Sequence, residues 1–187
     1  HIMDTPVGYS PPRGPDVHFQ VTYNQREANQ PTTFSYSNLG QKWTFNWLSY
    51  IADDPTHPGG NVNYYVQGGG TQYYPGSSYN STTKTYAADP DTHGTLQIVS
   101  PTNYTRFLPD GSRQIFSVPN APITATSRKV FLSQVMDASS NTLTFSYDSN
   151  YLLLAATDAL GQVTTLSYGS TNANYPLFYQ ITEVTDP

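Results

Sequence analysis

The sequence predicts an all-β fold: an antiparallel sheet of repeated strand–turn–strand units, curved and open. Composition is the first reason. Sixteen Tyr, eight Phe and two Trp stand in a chain of 187 residues of which 11% are charged, and aromatic and β-branched side chains suit a pleated surface. Punctuation is the second. Fifteen Pro and thirteen Gly interrupt the chain, and no long stretch free of them carries the apolar stripe of a helix. Internal repetition is the third. DASSNTLTFSY at 137–147 and DALGQVTTLSY at 158–168 match at five of eleven positions, twenty-one residues apart, which points to one structural unit used twice.

The elements follow in order. Residues 1–16 are expected to form an irregular lead. His1-Ile2-Met3 resembles a cloning scar, and DTPVGYSPPRGPD at 4–16 holds four Pro and two Gly, too many for extended regular structure. VHFQVTY at 17–23 alternates, with Val17, Phe19, Val21 and Tyr23 on one face of a half-buried strand. TTFSYSNLGQKWTFNWLSYI at 32–51 reads as strand, turn, strand. Trp43, Phe45 and Trp47 share a face there at period two and are assigned to an aromatic core. NYYVQ at 63–67 and TQYY at 71–74 are short strands joined by the Gly triplet 68–70. GTLQIVS at 94–100 is another strand, and TRFLPDGSRQIFSV at 105–118 is a hairpin turning at Asp110-Gly111, because Asp-Gly accepts a positive φ. These stretches make 17–129 an N-terminal β segment with aromatic hairpins.

From Val130 the period takes over. VFLSQVMD at 130–137 aligns with YLLLAATD at 151–158, and LFYQITEVTD at 177–186 opens a third copy after an insertion. Each unit is a strand, an Asp-headed turn, a strand ending Ser-Tyr, and a short link. Leu143, Phe145 and Tyr147 correspond to Thr164, Leu166 and Tyr168 on one face. The aspartates Asp137, Asp158 and Asp186 are expected to hold their turns by accepting backbone N–H bonds. The chain breaks off at Asp186-Pro187, inside the motif, so it is expected to be an excised fragment.

Charge and chemistry exclude several functions. Eight scattered bases against thirteen acids, net −5, give no concentrated basic face for nucleic acid. Without Cys there is no disulfide scaffold or thiolate chemistry. The longest apolar run, YLLLAA at 151–156, is far short of a membrane span. No metalloprotease, nucleophile-elbow or phosphate-loop motif occurs, so neither catalysis nor a cofactor or metal is expected. DPDTHG at 89–94 opens like a calcium loop, with Asp89, Asp91, His93 and Gly94. The position that should carry a bidentate Glu is Ser100, so an ordinary turn is expected. Asp53-Asp54, the adjacent acid pair, is read as a solvated turn, since strand neighbours face opposite ways and a glycosidase pair must face one cleft. His18 and His57 are read as surface residues. Carbohydrate binding competes more strongly, because sugar sites combine aromatic platforms with polar neighbours. Tyr64, Tyr65, Tyr73, Tyr74 and Tyr79, in the Gly- and Asn-rich middle, are its candidate residues.

The ordered motifs resemble those of the Rhs, or YD-repeat, family. The residues that carry the resemblance are Asp110 and Gly111, Asp137, Tyr147-Asp148, Asp158 with Gly161, Tyr168 and Asp186. NLGQKWTFNW at 38–47 is similar to the aromatic segment that precedes the family's repeats. Ser140 stands where the family has a turn glycine, and Gly169 where it has the Asp of Tyr-Asp. The family comprises large bacterial secreted or surface proteins, similar to teneurins and to the C component of insecticidal toxin complexes. Their repeats wind into a β-shell, in several members around a toxin. The resemblance implies that 130–187 holds two YD-type repeats and the start of a third, and that the chain is a non-catalytic, N-terminal part of such a shell. Its partners would be the remaining repeats of the parent chain, or another copy pairing at the exposed sheet edge. The alternative expectation is a carbohydrate-binding β-domain of a surface adhesin, with glycans as partners. No nucleic-acid binding or membrane insertion is expected.

Overall fold

The computed structural model describes residues 2–27, 30–175 and 177–187. It is built of antiparallel strands with one short 3-10 turn and no α-helix among the described residues. The chain divides into two compact units whose boundaries are not contiguous in sequence.

The first unit comprises His1–Leu48, Gln67–Gly70 and Leu143–Pro187. Its described strands fall into two antiparallel sets. In one, β1 (Ile2–Tyr9), β2 (Val17–Tyr23) and β3 (Trp43–Phe45) lie in that order. The expected irregular lead is therefore largely a strand, although His1 lies outside the described residues. Pro6 is tolerated because β1 is an edge strand and its register with β2 shifts between Asp4 and Val7, where no ladder N–H is required. The second set is a ladder of β11 (Thr142–Tyr147), β12 (Leu153–Thr157), β13 (Val163–Tyr168) and β14 (Ile181–Thr185). Leu143, Phe145, Thr164 and Leu166 are buried on its inner face, as period two predicts.

An aromatic cluster fills this unit. Trp47, 2% exposed, meets Phe19 edge-on at 5.3 Å and Phe145 at 5.8 Å between ring centres. Phe45 is fully buried and also touches Phe19. Trp43 departs from the expected core: it is 38% exposed and leans on Tyr23 at the surface. Trp43 is the first residue of β3 and pairs with Tyr23, the last of β2, so it lies at the end of the ladder rather than over the core. Residues 32–37, expected as a strand, are extended by no ladder. That segment is held instead by Asn38, which forms a parallel bridge with Gln180.

The second unit comprises Ser49–Val66 and Thr71–Thr142. Its strands are β4 (Tyr50–Asp53), β5 (Val62–Tyr65), β6 (Thr71–Tyr74), β7 (Thr95–Ser100), β8 (Asn103–Phe107), β9 (Arg113–Pro119) and β10 (Arg128–Met136). They pair in the order β7-β8-β9-β10-β4-β5-β6. The Gly triplet and Asp110-Gly111 turn their hairpins as expected, with Gly68, Gly69, Gly70 and Gly111 all at positive φ. The sheet curls without closing. The end strands β6 and β7 do not pair with each other, yet the Tyr74 hydroxyl of β6 reaches Arg106 of β8 at 3.0 Å. Ile51, Leu96, Phe116, Phe131 and Leu132 form the dry part of the core.

Candidate functional site

The recurrent feature of the chain is a five-residue turn. At Asp137 the backbone N–H donates to Asn141 O (3.0 Å), and Ser140 N donates back to Asp137 O (3.0 Å). The Asp137 carboxylate accepts from Ser139 N (2.8 Å) and Asn141 N (2.9 Å). At Asp158 the partners are Leu160 N (2.8 Å) and Gln162 N (2.9 Å), with the same backbone pair. The carboxylate thus satisfies donors that the turn removes from the ladder. The Asn141 side chain and these backbone bonds hold the Asp137 carboxyl below its ordinary pKa.

Geometry also explains the departures in sequence. The fourth residue of each turn has positive φ: Ser140 at 66° and Gly161 at 85°. The serine occupies the glycine's place and adopts the glycine's conformation, at the steric cost of a Cβ in the left-handed region. The Leu108–Ser112 turn has the same backbone bonds and Gly111 at 85°, but its aspartate sits two places later. There Asp110 accepts from Ser112 Oγ (2.6 Å) and Ser112 N (2.9 Å), which lower its pKa.

Sequence reading missed a copy. The expected short link after Tyr147 is the same turn again. Asp148 accepts from Asn150 N (2.8 Å) and Leu152 N (2.9 Å), and Tyr151 takes φ 62°. The turns therefore begin at 137, 148 and 158, ten or eleven residues apart, and the twenty-one-residue unit contains two of them. The polar cluster Asp148-Ser149-Asn150 between two alternating runs was the available signal.

Of the repeat tyrosines, Tyr168 binds backbone. The Tyr168 hydroxyl donates to Leu153 O (2.8 Å), so Ser37 Oγ, 2.6 Å away, donates to the phenol oxygen. Ser37 Oγ in turn accepts from Leu153 N (2.7 Å). This closed ring fixes segment 36–38 to β12. Burial pushes the pKa of both Tyr168 and Tyr147 up. At the other aspartates, Tyr9 donates to Asp158 Oδ2 (3.1 Å), and Thr164 Oγ1 donates to Asp186 (3.3 Å). Burial, then the bond to Asp158, raises the Tyr9 pKa to about 12.

Two buried ion pairs lie in the second unit, neither visible in sequence. Arg106 donates to Asp89 (2.9 Å), Tyr74 (3.0 Å) and Gln114 (3.1 Å), and its guanidinium lies 4.6 Å over the Tyr64 ring. Asp89 also accepts from Thr92 N (2.7 Å) and Gly94 N (3.0 Å). The calcium-like loop is thus organised around an arginine. Burial opposes ionisation of Asp89, but the Thr92 and Arg106 bonds prevail and hold its carboxyl far below the usual range. Among the described residues no group of three His, Asp or Glu could hold a metal ion. Asp53 corrects the solvated-pair expectation. It is buried and takes a two-pronged bond from Arg128 (2.8 Å each) and one from Tyr104 (2.7 Å). Only Asp54 faces solvent, bonded to Thr56 and His57. His18 is part-exposed beside Asp16.

The candidate sugar residues are separated by burial. Tyr64, Tyr65 and Tyr74 are 2% exposed or less and belong to the core. Tyr73 is exposed, while Tyr79 is half-buried, its ring beside Tyr86 at 5.0 Å. These five rings do not form one exposed platform. No helix of the described residues is long and apolar enough to cross a membrane. No protein-family model matches the chain, and no curated protein matches it.

Proposed function

We propose that this chain is a non-catalytic structural module, an N-terminal part of a YD-repeat, Rhs-like shell in a large secreted or surface bacterial protein. Its work is to build wall around cargo such as a toxin. The observation that carries the reading is the aspartate turn, used at 137, 148 and 158 to join successive antiparallel strands at intervals of ten or eleven residues. A unit of two short strands cannot bury its own face, so such units function by stacking in series. Beyond Ile181, β14 is paired with β13 alone among the described strands, an edge suited to the parent chain's next strand or to another copy.

The test is the parent reading frame. Further aspartate turns every ten or eleven residues past Pro187, ending in an unrelated domain, are expected. A frame without such turns would overturn the reading.

A second reading, a carbohydrate-binding domain of an adhesin, is supported by a different place from the one sequence suggested. A groove of about 480 Å³ in the first unit is lined by Phe34, Tyr175, Tyr179, Asn38 and Asn174. Tyr175 is 61% exposed, and rings beside amides are sugar-stacking chemistry. Glycan-array binding lost in Tyr175→Ala, with unchanged stability, would favour it.

A further inference from the structure

One donor in the second unit's polar core is unanswered. The Arg128 side chain is 1% exposed, and Nε and Nη2 are spent on Asp53 and on Pro101 O. Its remaining nitrogen, Nη1, is buried with no hydrogen-bond partner. Unmet buried donors are rare because each forgoes a bond that water would supply.

Arg128 lines a cavity of about 190 Å³ within this unit. Asp53 and Tyr104 line it too, but both oxygens of Asp53 are already bonded to Arg128, and one also to Tyr104. The third charged lining residue is Lys84, so the cavity carries one positive charge in excess. Lys84 is placed by the sheet: its carbonyl accepts from Ile98 N (2.9 Å), and its φ is 57°. The remaining walls are mostly apolar, chiefly Pro55, Pro58, Ile98 and the Tyr79 ring, with Ser100 the polar exception. Lys84 and Val99 are both solvent-exposed, so the cavity reaches the surface.

We propose that this cavity binds a small organic carboxylate, which meets the Lys84 ammonium and draws Arg128 Nη1, closed to solvent in the free chain, into contact, while its apolar body lies on the prolines and Tyr79. A guanidinium and an ammonium together match a carboxylate. The volume, roughly that of six water molecules, suits a body of one ring. A sugar would bring more hydroxyls than these walls could satisfy. The site is independent of the wall reading, because it uses none of the repeat turns.

Benzoate, titrated into the whole chain and followed by calorimetry and by the Arg128 guanidinium N–H resonances, tests this. Saturable binding with a Kd on the order of 1 mM is expected for so small a ligand, with movement of the Arg128 signals. Benzamide, the neutral isostere, should bind at least about tenfold more weakly. Lys84→Gln should weaken benzoate about fivefold, and Val99→Trp should block entry. Both residues are exposed, so circular dichroism and Tm of the free variants should match the parent. Absence of saturable binding, equal affinity for benzamide, or binding indifferent to both variants would overturn the proposal and leave the wall reading untouched.

Discussion

Trp43 and Trp47 sit four residues apart and would be judged equivalent by hydrophobicity, yet they differ in what surrounds them. Trp47 is wedged between Phe19 and Phe145, whereas Trp43 lies on Tyr23 with 38% of its surface open. Trp47→Ala should therefore cost about 3–5 kcal/mol by urea denaturation, and Trp43→Ala only about 1 kcal/mol. Similar costs in the two variants would contradict this packing. Gly94 is limited by space rather than by torsion. A Cβ there would lie 2.6 Å from Arg106 Nη2, so Gly94→Ala should push the guanidinium off Asp89 and lose about 1–3 kcal/mol. In the same unit, Asp53→Ala strands a buried guanidinium and should cost about 3–5 kcal/mol.

Among the elements, the five-residue turn separates side-chain capping from backbone conformation. Gly161 has φ 85° and nothing within 4 Å of the site a Cβ would take. Gly161→Ala should then cost about 1 kcal/mol through torsion alone. Ser140, already at φ 66°, gives the reverse experiment: Ser140→Gly should stabilise by about 0.5–1 kcal/mol. Chemical denaturation of the two variants checks both signs, and destabilisation by Ser140→Gly would show that the serine is held for another reason. These turns were legible in sequence because their chemistry is local. An Asp that accepts the N–H groups two and four residues ahead, followed by a residue at positive φ, needs nothing from elsewhere in the chain. The Asp148 turn escaped notice because Tyr151 stands where Gly or Asn would have announced it.

For the molecule as a whole, the tyrosines set the alkaline limit of stability. Burial is the main cause that raises Tyr74 to about 12 and pushes Tyr86, Tyr104, Tyr147 and Tyr168 higher. An unfolded phenol titrates near 10. The folded state therefore holds these protons more tightly, so their contribution is full below about pH 10 and is lost as pH rises from there through the folded values. Each pH unit in that window removes up to about 1.4 kcal/mol per such phenol. Phenolate absorbance and far-ultraviolet dichroism should consequently change together in one cooperative transition; early, independent ionisation of most phenols would contradict their burial. By itself the sequence determined the all-β class, most strand positions and the aspartate turns, since period two and turn chemistry act between residues a few places apart. Tertiary structure decided which aromatics are core, why His1–Leu48 compacts with Leu143–Pro187, and where the arginines go. Arg128 finds Asp53 across 75 residues, and Arg106 reaches back 32 to Tyr74. Such partners are chosen by how the sheet curls, because a buried charge is stable only where the fold brings an opposite charge and enough donors to meet it.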